Sequence, residues 1–290
     1  MQAPRSCLCL VVAMTLPFMM LSRANAESDG EKARIEVLEH AVKALQAKMK
    51  ALEKKNAFLS RHVRISYRRL HGLNGPHIIF TGVNVHIRDG TGSTLSSGPS
   101  GLGNLVIGYN EQRAAADGPT IPAVRTGAHN LVLGVGQEYS AVGGIVAGAN
   151  NTITGVFATV TGGSGNAALG IHSSVSGGSN NTAIGDESSV SGGFNNIAAG
   201  RCASVSGGRL GSAGGQAASV SGGFYNHAPG DGSSVSGGNA NTAEAIYSSV
   251  SGGSNNTASG DESSVSGGFV NTASGPVSSV SGGENREAPP

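Results

Sequence analysis

The sequence predicts a mainly β protein, a parallel β-roll or β-solenoid of fifteen-residue rungs preceded by an N-terminal parallel coiled-coil helix. Val160, Val175, Val190, Val205, Val220, Val235, Val250, Val265 and Val280 recur every fifteen residues without a slip, each followed by Ser or Thr and then Gly-Gly. Ala stands eight residues after each Val, from Ala168 to Ala288. Nine copies in register are the mark of stacked units rather than of low complexity. Ahead of them Leu38, Leu45, Leu52 and Leu59 recur every seven residues, the spacing of a coiled-coil seam.

Composition narrows the function classes. The 290 residues include 47 Gly, no Trp and only 4% aromatic side chains, so the repeats have no conventional core of Leu, Ile and Phe. Charged residues make up 13%, about half the ordinary share, which argues against a charge-rich disordered chain. The formal net charge of +1 gives no support for nucleic-acid binding.

Residues 1–26 read as a cleaved secretory signal peptide. Arg5 supplies a basic start, Leu8 to Leu21 is apolar, and Ala24-Asn25-Ala26 fits small-residue cleavage. The apolar run is shorter than the ~20 residues of a spanning helix. The expected location is extracellular or on the cell surface. Cys7 and Cys9 would leave with the signal, so Cys202 stands alone and no intrachain disulfide is expected.

Residues 27–70 read as the stalk. Ile35, Val42, Met49, Asn56, Val63 and Leu70 take position a, and Leu38, Leu45, Leu52 and Leu59 take d. Arg34 faces Glu39 of a neighbour and Lys48 faces Glu53, pairs that favour parallel strands in register. Asn56 is the polar a residue that fixes such a register. The rod would be on the order of 50 Å long. The stalk alone leaves dimer and trimer open.

Residues 71–142 read as a transition with irregular first rungs. Val83, Val85 and Ile87 alternate as in a strand, and "NLVIG" (104–108) and "NLVLG" (130–134) look like broader rungs. The stretch 111–126 is an excursion carrying Arg113, Asp117 and Arg125. "IVAG" (145–148) reads as already in phase with the repeat. Regular rungs fill 143–283, and 284–290 is expected to be a disordered tail.

Within a rung, alternate residues of a strand share a face. Ser188, Val190 and Gly192 fall on one face of the first strand, and Asn196, Ala198 and Gly200 on the same face of the second. The strict Val and Ala columns mark the interior, since a narrow coil admits only small side chains. The inward Asn column suits a ladder that satisfies buried turn amides. One rung cannot hold itself, so stability must come from stacking and from neighbouring chains.

The unit resembles the head repeat of the trimeric autotransporter adhesins, the YadA-like family, whose β-roll repeats read A-x-A-x-G-x-x-A-x-A-x-G-x-x. Ser188-x-Val190-x-Gly192 and Asn196-x-Ala198-x-Gly200 follow that spacing with one extra residue in the first corner. The resemblance spans Ile145 to Gly283. It implies a left-handed parallel roll, a homotrimer and attachment to extracellular surfaces or matrix. In that family the head precedes the stalk and a C-terminal barrel anchors the chain. Here the stalk comes first and the chain ends in "ENREAPP" with no membrane-spanning anchor visible, so a released product, or one held through its stalk, is expected.

Catalysis finds no support. The His residues of the mature chain show no HExxH or paired metal spacing, and the Gly-Gly steps lack a phosphate-cradling context. No cofactor or metal is expected; Asp186-Glu187 and Asp261-Glu262 read as solvated corners. The expected function is attachment, with a purely structural spacer as the alternative. An ice- or crystal-binding solenoid is a further alternative, weakened because Ala167, Ile197, Ser212 and His227 interrupt the Thr column. The candidate interface or ligand surface is Phe194, Phe224, Tyr225 and Phe269, with Arg113 and Arg125 on the excursion. Burial between subunits and a ligand site both remain open for the Phe column.

Overall fold

The computed structural model describes residues 8–95, 100–115, 118–121 and 123–289. It divides into two compact units, one ending at Val85 and the other starting at His86. The first seven residues of the expected signal peptide lie outside the described residues, as do Asp117 of the excursion and Pro290 of the tail. Among the described residues, no helix is long and apolar enough to cross a membrane.

The first unit is built on one helix, α1 (Leu8–His62), whose last turn carries Arg61 and His62. Its stalk portion is rich in Ala, Leu, Glu and Lys, which lose little conformational freedom in a helix. Cations in the last turn also suit the negative end of the helix dipole. Residue 63 departs from the expected seam. Val63–Ser66 is a strand, paired antiparallel with His77–Phe80, with Val63 opposite Phe80. β-branched Val63 and Ile65 favour a pleated strand once "HIIF" offers a partner. The junction is pinned where His62 O accepts the Thr81 N–H at 2.8 Å. Leu70, the next expected seam residue, lies in a one-residue bridge with Leu73.

The second unit is a parallel solenoid of fifteen-residue rungs, as the periodicity predicts. Among the described residues, one sheet stacks twelve strands and the other eleven, each strand pairing with the equivalent strand of the next rung. "NLVIG" and "NLVLG" do begin the stack, with Val106 beside Val132. Val83, Val85 and Ile87 form no strand and are all exposed, because no neighbouring strand pairs with them. Between early rungs the excursion folds as a small hairpin of Arg113–Ala115 with Gly118–Ile121.

The phase of the early rungs differs from the expectation. Val146 pairs with Val160 and Ile145 with Thr159, a step of fourteen residues. Val146 is therefore sealed while Ile145 is 37% exposed. The fifteenth residue enters after Val160. Ala149 N–H donates to Gly163 O at 3.0 Å, so Gly163 answers Gly148, and Thr161-Gly162 stand against Ala147 alone. Two residues against one is a bulge; every later rung keeps the extra residue and so pairs with its neighbour fifteen to fifteen.

The interior is the two columns read from the sequence. Val175 through Val265 and Ala168 through Ala273 are at most 1% exposed. Tyr139 and Ile153 enlarge this core only in the early rungs.

The Asn ladder is also present. Asn196 Nδ2 donates to Gly192 O at 2.9 Å and to Gly208 O of the next rung at 3.0 Å. Asn196 Oδ1 accepts the Gly211 N–H at 2.8 Å, and its own N–H donates to Asn181 Oδ1 at 3.0 Å. Each buried Asn thus closes a corner and ties two rungs, which is why it lies buried without penalty. At Gly211 the ladder breaks, and Asn226 N–H has no side-chain oxygen from the rung before it.

The Gly-Gly pair divides its work unequally. At Gly193, φ is +90°, and a Cβ would lie 2.2 Å from Gly208 O. At Gly192 a Cβ would meet nothing within 4 Å. Gly192 is half-buried and Gly193 exposed, so neither fills the interior place expected of Gly192; Gly193 instead makes the close approach to the next rung, because the strand alternation stops just after Val190.

The regular stack ends later than expected. Glu287–Ala288 pairs with Thr272-Ala273, and Arg286 N–H donates to Asn271 Oδ1 at 2.9 Å. Residues 284–288 therefore belong to the last rung rather than to a disordered tail, since Ala288 keeps the Ala column.

Candidate ligand surface

One corner column runs down the solenoid as single-residue parallel bridges through Ser164, Ser179, Phe194, Arg209, Phe224, Asn239, Ser254, Phe269 and Glu284. Each backbone is fixed by its neighbours: Phe194 N–H donates to Gly208 O at 3.0 Å, and Arg209 N–H to Gly223 O at 2.9 Å. Their side chains point to solvent, and Phe194 and Phe224 are 40% and 42% exposed.

The column brings a subset of the expected residues together. Arg209 lies between two rings, its guanidinium carbon 5.4 Å from the Phe194 centroid and 5.6 Å from that of Phe224. These are cation–π distances. The ring of Tyr225 meets Phe224 edge-on at 5.2 Å, and His227 lies 6.1 Å beyond it. Phe269 is three rungs further along, between Ser254 and Glu284, and stands apart from this cluster.

Arg209 and His227 are not among the residues expected from the sequence at the ligand surface. The signal for Arg209 was present, since it stands fifteen residues from each Phe. An aromatic pattern by itself does not include it.

Arg113 and Arg125 are engaged within the chain. Arg113 donates to Asn150 O at 2.6 Å and to Thr152 Oγ1 at 3.2 Å, and lies 3.9 Å from Glu138 Oε2. Arg125 donates to the carbonyls of Gln137, Asn110 and Glu111. Both tie the excursion to the first rungs, and guanidinium groups spent on carbonyls have little left for a ligand.

The acidic corners hold neighbouring rungs. Asp186 Oδ1 accepts the Ile171 N–H, and Asp231 Oδ1 the Gln216 N–H, each at 2.8 Å. Glu187 accepts from Cys202 at 3.4 Å and from Arg201 at 3.3 Å. The thiol and then the guanidinium lower the Glu187 pKa, while the same carboxylate raises that of Cys202. Among the described residues, no group of three or more His, Cys, Asp or Glu is placed to hold a metal ion.

Near the first rungs Asp89 accepts from the Thr91 N–H at 2.9 Å and the Thr91 hydroxyl at 2.7 Å, and lies 3.6 Å from His129 Nε2. The Thr91 bonds, backbone first, hold its carboxyl below the ordinary carboxylate range. This cluster closes a loop.

The stalk seam presents another kind of surface. Ile35, Leu38, Val42, Leu45, Met49, Leu52 and Leu59 are all about half exposed or more in the single chain. Asn56 sits among them at its a position.

These features place the chain in a structural class, parallel β-solenoids with an N-terminal helix. No protein-family model matches the chain, and no curated protein matches its sequence.

Proposed function

We propose that this is a secreted or surface-exposed fibrous protein, adhesin-like in the manner of the YadA-like family, which self-associates in parallel and presents its solenoid for attachment to extracellular surfaces or matrix. The observation that carries the reading is the exposed heptad seam from Ile35 to Leu59. An amphipathic helix stabilises itself by covering such a seam, and equivalent helices of further copies fit it in register. The resemblance of the repeats favours three copies and no catalysis, cofactor or nucleic acid.

The test is direct. The chain from Glu27 onward is measured for mass in solution, and its attachment to immobilised matrix protein is compared with that of a variant lacking the solenoid. A trimer that attaches through the solenoid is expected. A monomer at micromolar concentration overturns the assembly, and equal attachment without the solenoid overturns its role. A trimer that attaches to nothing leaves the spacer reading, which the unbroken outer Ser column from Ser174 to Ser279 favours.

A further inference from the structure

We infer that the Phe194–Arg209–Phe224 column, with Tyr225 and His227, is a binding site for an acidic saccharide, a sugar ring bearing a carboxylate or sulfate group. This deepens the attachment reading and rests on it.

The first reason is electrostatic. The side chain of Arg209 is exposed and, among the described residues, its guanidinium pairs with no carboxylate and donates to no carbonyl. Between Glu187 and Asp231 the sequence contains no acidic residue at all. Arg201, the other cation of this stretch, is taken by Glu187 at 3.3 Å. The rings of Phe194 and Phe224 flank the Arg209 guanidinium and limit its side-chain freedom. A planar fork held in this way suits bidentate contact with an oxyanion.

The second reason is shape. Phe194 and Phe224 stand two rungs apart, roughly 9–10 Å at the interstrand spacing, close to the length of a disaccharide. Tyr225, 48% exposed, adds a further ring beside them. Ring edges and faces in water accept the C–H face of a sugar while its hydroxyls stay solvated. Elsewhere in this column Ser164, Ser179 and Ser254 show that the fold needs no ring here. Solvent-exposed aromatics that folding does not require mark an interaction site.

The third reason separates a sugar from a peptide. Peptides are commonly captured by adding a strand to an open edge or by filling a groove. Here the backbone is already spent: Phe224 N–H donates to Gly238 O, Leu210 N–H to Phe194 O and Tyr225 N–H to Arg209 O. Only side chains are on offer, and an acidic sugar needs only those.

The test uses the full chain with three immobilised glycans: an oligouronate, a sulfated oligosaccharide and a neutral oligosaccharide of equal length. Polyglutamate serves as the peptide probe. Arg209→Ser and Phe194→Ser/Phe224→Ser introduce the residue that Ser164, Ser179 and Ser254 supply elsewhere in the column, and circular dichroism and mass in solution check fold and assembly. Binding of one or both acidic glycans is expected, falling as salt rises and weakened about tenfold or more by either variant. The carboxylated and sulfated arms then say which anion is preferred. Equal binding of the neutral glycan, unchanged binding by Arg209→Ser, or tighter binding of polyglutamate overturns the inference. A variant that loses assembly also overturns it, by placing the column between copies. If the wild type binds no acidic glycan yet attaches to matrix protein, only this inference fails; if it attaches to nothing, the attachment reading fails as well.

Discussion

The helix and the solenoid treat apolar side chains in opposite ways. Along α1, Leu38, Leu45 and Leu52 are each more than 60% exposed. In the solenoid the smaller Val190, Ala198 and Val205 are at most 1% exposed. A long helix in one chain has no second surface on which to lay its seam. A solenoid makes that surface from its own next rung, so small side chains suffice. Stability of the solenoid should therefore be largely a property of one chain, while order in the stalk should depend on concentration.

The largest expected effect breaks the solenoid side of this contrast. Gly193→Ala forces a Cβ against Gly208 O at positive φ and is expected to cost ~3 kcal/mol or more. Gly192→Ala, one residue earlier, meets open space and should stay within about 0.5 kcal/mol. Thermal or denaturant melts of the two variants check the difference. Equal losses would show that close rung contact is not what the glycines serve.

The stalk side comes next. Leu45→Ser/Leu52→Ser removes two seam residues, each contributing about 1.5–3 kcal/mol when covered. The mass in solution should fall to that of the monomer while the β signal in circular dichroism persists. If the solenoid melts together with the stalk, the two regions do not stabilise separately.

Asn196→Ala tests the polar half of the stack. It leaves the Gly211 N–H and the Gly192 carbonyl without this partner, at an expected cost of ~1–3 kcal/mol. The converse is Gly211→Asn, which continues the ladder to the open Asn226 N–H. Its Cβ would lie 3.2 Å from Asn196 Oδ1 and 3.3 Å from Val220 Cγ1, so small shifts are needed. A gain of about 1 kcal/mol is expected, read as a raised melting temperature. A loss would show that the gap is filled in another way.

The smallest effect is at a solvated corner. Cys202 donates to Glu187, which holds its pKa above the ordinary thiol value. Glu187→Gln removes that carboxylate, so the thiol ionises at lower pH and its alkylation rate near pH 8 should rise about two- to threefold. Stability should hardly change, because the corner lies outside the sealed stack.

Much of this was legible in the sequence. A strict period fixes which residues stack on which, so the Val and Ala columns and the buried Asn ladder followed from spacing alone. The Phe column was legible as well, but its chemistry was not. Arg209 acquires its meaning only from the rings on the rungs before and after it. Arg113 and Arg125 looked available on a polar loop, and only the fold shows them turned onto nearby carbonyls.

By itself the sequence determined the solenoid, its fifteen-residue rung and the heptad seam, because each is a repetition and repeated side chains must meet equivalent neighbours. Tertiary structure decided where repetition stops. It ended α1 at His62, where a partner strand captures Val63. It put Val146 rather than Ile145 inside, because the bulge that lengthens the rung enters only after Val160. Such boundaries are set by which strand is near enough to pair, and proximity across the chain is not written in any local pattern.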